Sequence, residues 1–395
     1  MQMGHYKFNK TEFSGSLGDI GTIIPLAVAL ILITGMKTSP VLLMIGAYYI
    51  ISGLYFKLPL PIQPMKVIAA IAIAFPDKIS VSCIGASGVL LGLFLLFIAY
   101  SGFINRLAVF FTKPIVRGIQ VGLGFILLNK GINLIQSSDL FIHQPAADAG
   151  YSLGYLNTMI GIAGFIIVLL LLSNRRFPAA LVLLSLGIIT GIFCGAMNNI
   201  DFSLGPTPII ISGFKGTDFL NGLIFLVIPQ IPLTLGNAIM GTADACRTFF
   251  GNNDQTKKVS CKSLSASMGI ANILSGFLGG IPMCHGAGGL AAHYRFGART
   301  GGSNIMIGAV FLVIGLFFGR AGITILSAIP NSILGVLLVF AGIELAIMIK
   351  DLSSRNDLFI AILIAGTGFA TTNMGIAFMI GIFVVQLQKH IDITL

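Results

Sequence analysis

LPLPIQPMKVIAAIAIAF, Leu58–Phe75, begins with three prolines in seven positions and carries a lysine midway along an otherwise apolar run. Pro59, Pro61 and Pro64 remove backbone donors and disfavour helix in the residues before them. The chain is therefore expected to run extended to about Pro64 and to become helical only afterwards. A helix that starts at membrane depth presents unpaired N–H groups and the positive end of its dipole. Such backbone is tolerated in a membrane only where it is buried in protein or lines a wet cavity. Lys66 adds a full positive charge near that start. Intramembrane charges are costly and usually functional, so Lys66 reads as part of an anion site. The competing reading is a lysine that snorkels to an interface or pairs with a structural carboxylate.

Composition sets this stretch in a membrane. Of 395 residues, 56% are apolar and 9% charged, against about 25% charged in a soluble chain. That excludes a disordered chain and an ordinary soluble enzyme. The five cysteines, Cys83, Cys194, Cys246, Cys261 and Cys284, form neither a CxxC pair nor a disulfide framework, and no metal site is expected. The opening MQMGHYKFNKTEF is polar and lacks the apolar core of a signal peptide. The net charge of +10 sits mostly between apolar segments, which points to cytoplasmic loops rather than nucleic acid.

Working outward, apolar runs predict Leu17–Gly35, Pro40–Phe56, a short Pro64–Phe75, Val81–Ser101, Pro114–Ile135, Tyr155–Ser173 and Pro178–Met197. The second half offers Asp218–Met240, Ser263–Gly280, a short His285–Tyr294, Ser303–Gly319, Asn331–Ile349, Asp357–Thr371 and Met374–Gln388. The last two can also be read as one re-entrant hairpin around Gly366–Asn373. The expected fold is thus an all-α polytopic membrane protein of about 14 segments. The first repeat spans 1–200, a connecting loop 201–216 and the second repeat 217–395, with no soluble regulatory domain expected. With both termini cytoplasmic, seventeen Lys and Arg fall inside, and five (Lys37, Lys78, Lys130, Lys215 and Arg320) outside. That split fits a multi-pass protein of the plasma or inner membrane, in contact with lipid. Seven segments per half make the repeats inverted. Ile24-Pro25-Leu26 and Ile231-Pro232-Leu233 interrupt the opening helices, and Gln63–Lys66 and Ile281–Cys284 precede the short elements, segments 3 and 10. Short, Pro-broken segments at matching positions point to a transporter's binding site.

Two further segments carry chemistry. In GGIPMCHGAGGLAAHYRFGARTGG, Gly279–Gly302, Pro282 precedes Cys284 and then His285, Gly286, Ala287, Gly288 and Gly289, small apart from the histidine. Small residues at a helix start let an oxyanion approach backbone N–H groups. His285 reads as a hydrogen-bond donor or titrating group, or as helix packing, while Cys284-His285 has no partner spacing for a metal or nucleophile. His293, Tyr294, Arg295 and Arg299 read as cytoplasmic loop charge or a gate. In IPQIPLTLGNAIMGTADACR, Ile228–Arg247, Gln230, Thr234 and Asn237 either line a cavity or bond neighbouring helices. The first span supplies Asp19 and Thr22. Asp19, Asp244 and Glu344 are the carboxylates placed in or beside spans, and each is a proton-relay candidate or a structural partner.

SGSLGDIGTIIP, LPLPIQPMKVIAAIA, IPQIPLTLGNAI and MCHGAGGLAAHYRFGARTG together resemble the signature segments of the molybdate transporter family related to sulphate permeases. The resemblance implies the sulphate and nucleobase permease fold, two inverted repeats of seven with a core moving against a gate. It also implies uptake of an oxyanion held between the starts of segments 3 and 10, which here means Gln63, Met65 and Lys66 with Cys284–Gly288. Molybdate is the expected substrate; sulphate or tungstate is the alternative and a nucleobase a weaker one, because neither short segment has a carboxylate to face a ring. Partners are expected to be the anion, lipid and, left open, a second copy of the chain. An intramembrane enzyme lacks support, with no HExxH, G-x-S-x-G or P-loop pattern, and no cofactor is implied. An anion channel stays open. Without a nucleotide motif, inward concentration of a dianion must draw on an ion gradient, with Asp19 and His285 as candidates for the coupled proton.

Overall fold

The computed structural model describes residues 2–3, 6–103, 112–142, 153–172, 178–194, 196 and 203–391. Arg106, Arg175 and Arg176, counted above as cytoplasmic, lie outside the described residues. After a small antiparallel ladder (β1, Gln2–Met3; β2, Tyr6–Lys7), the first half runs α1 Lys10–Ser16, α2 Ile20–Thr34, α3 Thr38–Phe56, β3 Gln63–Pro64, α4 Lys66–Ala74, α5 Val81–Ser101, α6 Lys113–Ile135, α7 Leu153–Leu171 and α8 Ala179–Phe193. The second half runs α9 Gly216–Phe250, α10 Asp254–Lys258, α11 Cys261–Phe277, β4 Met283–Cys284, α12 Ala287–Arg295, α13 Gly301–Phe317, α14 Gly319–Ser327, α15 Asn331–Ala346, α16 Arg355–Thr371 and α17 Met374–Ile391. Among the described residues, six helices are long and apolar enough to cross a membrane, or up to eight if two bent pairs each count as one span.

Glycines set how closely these helices pack. A Cβ on Gly131 of α6 would stand 2.5 Å from the Gly335 carbonyl oxygen of α15, and one on Gly335 equally close to the Gly131 oxygen. Seven residues along, Gly124 and Gly342 make the same reciprocal contact. Gly85 and Gly92 of α5 meet Gly276 and Gly269 of α11 in this way, and Gly46 and Gly53 of α3 meet Gly308 and Gly301 of α13. Lipid gives helices no hydrophobic reason to associate, so backbones held at van der Waals distance supply the attraction.

Several boundaries differ from the sequence reading. Pro25 lies inside α2, and the first span instead breaks at Leu17–Asp19, where α1 and α2 meet at 47°. The segment expected at Asp218–Met240 is one helix, Gly216–Phe250, with π-helical turns at Gly222–Val227 and Thr234–Gly241. Pro229 and Pro232 sit between those turns and offer no donor, so the hydrogen-bond ladder slips on either side of them. Helix α14 was not anticipated; it turns 90° from α13. The hairpin considered around Gly366–Asn373 is two full helices packed together, joined at Thr372 in the left-handed region (φ 54°).

Candidate functional site

Strands β3 and β4 pair antiparallel, with Gln63 opposite Cys284 and Pro64 opposite Met283. Helix α4 leaves from Met65 and α12 from Gly286, nine residues each, so the two helix starts lie side by side. The prolines behave as expected: Leu58–Ile62 is not helical, and its carbonyls need donors from elsewhere. Three buried side chains provide them. His293 Nδ1 bonds the Pro59 carbonyl at 3.0 Å, Asn304 Nδ2 donates to Leu60 at 2.6 Å, and His285 Nδ1 bonds Pro61 at 2.9 Å. On the other strand Asn272 brackets Met283, donating to its carbonyl at 2.9 Å and accepting from its N–H at 2.6 Å. Ser275 donates to the Ile281 carbonyl at 2.6 Å, and the Met65 N–H to Pro282 at 2.9 Å.

The start of α4 is tied to α9. Gln230 Oε1 accepts from the Val67 N–H at 2.9 Å, and its Nε2 donates to Thr234 Oγ1 at 2.9 Å. Both side chains are buried, so they position the helix start. Asp19, at the break before α2, accepts from Gln63 Nε2 at 2.6 Å and makes no side-chain cap of α2. Nor does it ion-pair directly with Lys66: among the described residues no carboxylate lies within 4.0 Å of that amine. Gln63 Oε1 is buried and has no hydrogen-bond partner among the described residues.

The glycines divide into two roles. A Cβ on Gly286 would stand 2.8 Å from Gln63 Oε1, and one on Gly289 would meet Gln63 Nε2 at 2.6 Å and Asp19 Oδ2 at 2.7 Å. These two make room for the Gln63–Asp19 contact. Gly288 and Gly21 are exposed and have nothing within 4 Å of a built Cβ. Their neighbours Thr22 and Ala287, and Lys66 at the start of α4, are half-buried. The N–H groups of Ala287, Gly288 and Gly289 take no partner among the described residues. Met65 and Cys284 are buried and act as wall.

The structure thus gathers Asp19, Thr22, Gln63, Lys66 and the start of α12, with Gln230 and Thr234 one shell behind. His285 is placed differently from the expectation. A carbonyl only accepts, so Nδ1 donates to Pro61, and Nε2 then accepts from the Tyr48 hydroxyl at 3.0 Å. Neither ring nitrogen is left for a substrate. His293 is not loop charge but wholly buried. Tyr294 stacks on Phe249 with ring centroids 4.9 Å apart, and the Arg299 guanidinium lies 3.7 Å over its ring. Asp244 and Glu344 are exposed, the former 3.5 Å from Arg247, which leaves Asp19 as the buried carboxylate of the three. Asn272 and Asn304 went unremarked in the sequence. Their signal was the run of carbonyls that the prolines strand.

A family profile described as a molybdate transporter of the MFS superfamily matches residues 11–127 and 222–345. Molybdate transporter 2 of Arabidopsis thaliana is 32% identical over 96% of this chain and 87% of its own length. The chain belongs to the molybdate transporter family. Molybdate transporter 1 of Chlamydomonas reinhardtii is 26% identical over 94% of this chain and 90% of its own. Among solved structures, the transmembrane domain of a cyanobacterial bicarbonate transporter, BicA, superposes with a TM-score of 0.64 at 17% identity, covering 93% of this chain and 97% of that one. Murine SLC26A9 in an inward-facing state gives 0.67 at 12% identity over 98% of this chain and 70% of that one. At such identities the likeness is one of fold. As a member of the molybdate transporter family the chain is a polytopic membrane transporter and not an enzyme.

Proposed function

We propose that the chain imports a tetrahedral oxyanion, molybdate before sulphate or tungstate, bound between the starts of α4 and α12. The observation that carries this reading is the pairing of those two starts through β3 and β4, with the half-buried Lys66 amine unpaired among the described residues. Free N–H groups at a helix start and a nearby cation suit an anion. The N–H groups of Ala287 to Gly289 and Lys66 Nζ would bind it, with Thr22 and Gln63 at the margin. The names of the relatives in both a plant and an alga support molybdate. Two inverted repeats of seven segments, with α4 and α12 as half-length elements, agree with the glycine contacts. Exchanging the repeats turns the α3–α13 contact into the α11–α5 contact and leaves α6–α15 unchanged. In this reading α6 to α8 and α15 to α17 form the gate against which the rest moves, in the cell membrane with both termini cytoplasmic.

An inside-negative potential opposes a dianion by about 4.6 kcal/mol per 100 mV, and two co-transported protons would cancel that. Asp19 is the group we assign to the coupled proton, since it is buried beside the site and bonded to Gln63. The test has two arms. Titration of purified protein with molybdate, tungstate, sulphate and uracil should show oxyanion binding and none for uracil; the reverse would overturn the substrate class. In liposomes, acid outside should accelerate molybdate uptake, and Asp19→Asn should abolish the acceleration while leaving exchange. Uptake driven by sodium and indifferent to pH would end the proton assignment.

A further inference from the structure

Helix α6 packs against α15 and α16 through its glycines. Gly124 meets Gly342 of α15, as described above. On the α16 side, a Cβ on Gly118 would stand 2.8 Å from the Ala361 carbonyl oxygen, and one on Gly122 3.2 Å from the Ala365 Cα. Helices α15 and α16 have no comparable contact with each other. The gap between them is a groove of about 500 Å³ over α6. Val121 and Phe125 of α6 lie along it, with Ile343 and Ile347 from α15 and its following turn and Ile362 and Gly366 from α16. Gly366 widens it, since a Cβ there meets nothing within 4 Å. Every residue that lines the groove is apolar. Phe125, Ile347 and Ile362 are exposed, so the groove opens on the outer surface of the helices. Helices α6 and α15 are both long and apolar enough to cross a membrane.

One end of this groove is basic. Lys113 and Arg117 continue the row of Val121 and Phe125 on α6 at steps of four residues. Arg355 precedes Ile362 by seven residues, two turns, and so shares its face of α16. Lys350 directly follows Ile349, which lines the groove. The four bases are not equivalent. Arg117 and Lys113 are spent on Asp351. Lys350 and Arg355 are exposed and enter no ion pair among the described residues. The other carboxylate at this end, Asp357 in the first turn of α16, is half-buried, and Glu344 of α15 does not line the groove.

We propose that the groove between α15 and α16 holds one acyl chain of an anionic phospholipid, with its phosphate on Lys350 and Arg355. Water has no partners on an apolar lining and leaves such a space dry. An empty groove would forfeit dispersion contacts along both walls, and the membrane supplies chains of the right chemistry. The two unpaired bases select the headgroup, because basic groups at the end of membrane helices attract anionic lipid. A second copy of this chain is the poorer occupant, since its net charge of +10 adds to the bases instead of meeting them. The bound chain completes the packing of α16 that Gly118 and Gly122 begin. None of the residues involved belongs to the site between α4 and α12, so the lipid site is independent of the substrate reading.

Native mass spectrometry of the purified protein tests both parts, with phosphatidylglycerol and phosphatidylcholine of the same acyl chains as probes. The wild type should retain phosphatidylglycerol in preference. Lys350→Gln combined with Arg355→Gln should lower that preference by roughly five-fold for each base removed. Gly366→Leu fills the groove where a Cβ meets nothing, so it should elute like the wild type and lose one equivalent of retained lipid. Equal retention of the two lipids by the wild type, or a preference that survives loss of both bases, overturns the headgroup contact. Undiminished lipid in Gly366→Leu overturns the tail site, and a dimer that becomes a monomer in that variant with its lipid unchanged gives the groove to a second copy. Should Gly366→Leu not fold, an experimental map of the wild type in nanodiscs decides the tail site. Chain density in the groove leading to Lys350 supports it, and an empty groove overturns it.

Discussion

Gln63 shows how one side chain links the three parts of the site. Its Nε2 holds Asp19, its Oε1 faces Gly286, and its backbone is in the strand that joins the two helix starts. Lys66, three residues on, contributes charge rather than framework, because it bonds no other group among the described residues. A charge-assisted hydrogen bond contributes roughly 1.5–3 kcal/mol, so Lys66→Ala should weaken molybdate binding by about ten- to a hundred-fold. Titration of the purified variant checks this, and wild-type affinity would remove Lys66 from the anion's contacts. The glycines of α12 allow a sharper contrast. Gly289→Ala puts a methyl group 2.6 Å from Gln63 Nε2 and 2.7 Å from Asp19 Oδ2, so it should lower the melting temperature and disturb the site together. Gly288→Val meets nothing within 4 Å at its Cβ and should melt like the wild type while blocking the anion. Equal melting and equal binding in the two variants would mean that neither glycine borders the substrate.

At the scale of elements, α6 and α15 are held by two reciprocal glycine contacts, and Gly335→Val should cost heavily because its Cβ is 2.5 Å from a backbone oxygen that cannot move aside. The expected outcome is a large loss of monodisperse protein in detergent, measured against Gly216→Val, where a Cβ meets nothing. Comparable yields would show that the helices can separate without penalty. These contacts were not legible in the sequence. Glycine is frequent in membrane helices, and a spacing of seven acquires meaning only once the partner helix is known. Chain breaks were legible, because proline acts locally: the extended Leu58–Ile62 and the late start of α4 follow from Pro59, Pro61 and Pro64 alone. The span Val81–Ser101 was read to the residue, since Ser80 caps it by accepting from the Cys83 N–H and Gly102 ends it at φ 67°. The role of His285 stayed open in the sequence because its environment comes from α3 and from Pro61, 224 residues away. Which carbonyls lack donors can be listed from a sequence; which side chains arrive to bond them depends on packing.

The whole molecule must place its loops on defined sides of the membrane, and the arrangement of charge predicts which. Seventeen Lys and Arg against five is a bias that a different number of spans in either half would scramble. One cluster that this bias assigns to the inside is structural as well: Arg117 grips Asp351 at 2.6 and 2.9 Å and Lys113 adds a contact at 3.3 Å, joining the start of α6 to the turn after α15. Ser138 and Asn253 are both exposed, one after α6 and the other between α9 and α11, and the proposed topology would put them on opposite faces. Cysteine labelling can test this if the native thiols stay silent. Cys83, Cys246 and Cys284 are buried, so Cys194 and Cys261, both half-buried, are the ones to replace first. In whole cells, an impermeant maleimide should label Ser138→Cys from outside, and Asn253→Cys only after the membrane is opened. The measurement bears on the site too. If each half has seven segments, as proposed, α4 and α12 would enter from opposite faces and their starts would meet in between, the geometry that would concentrate two helix dipoles on one anion. If both cysteines react from the same side, the two starts are no longer related by inversion, and the anion would have to be held by Lys66 and a single helix start.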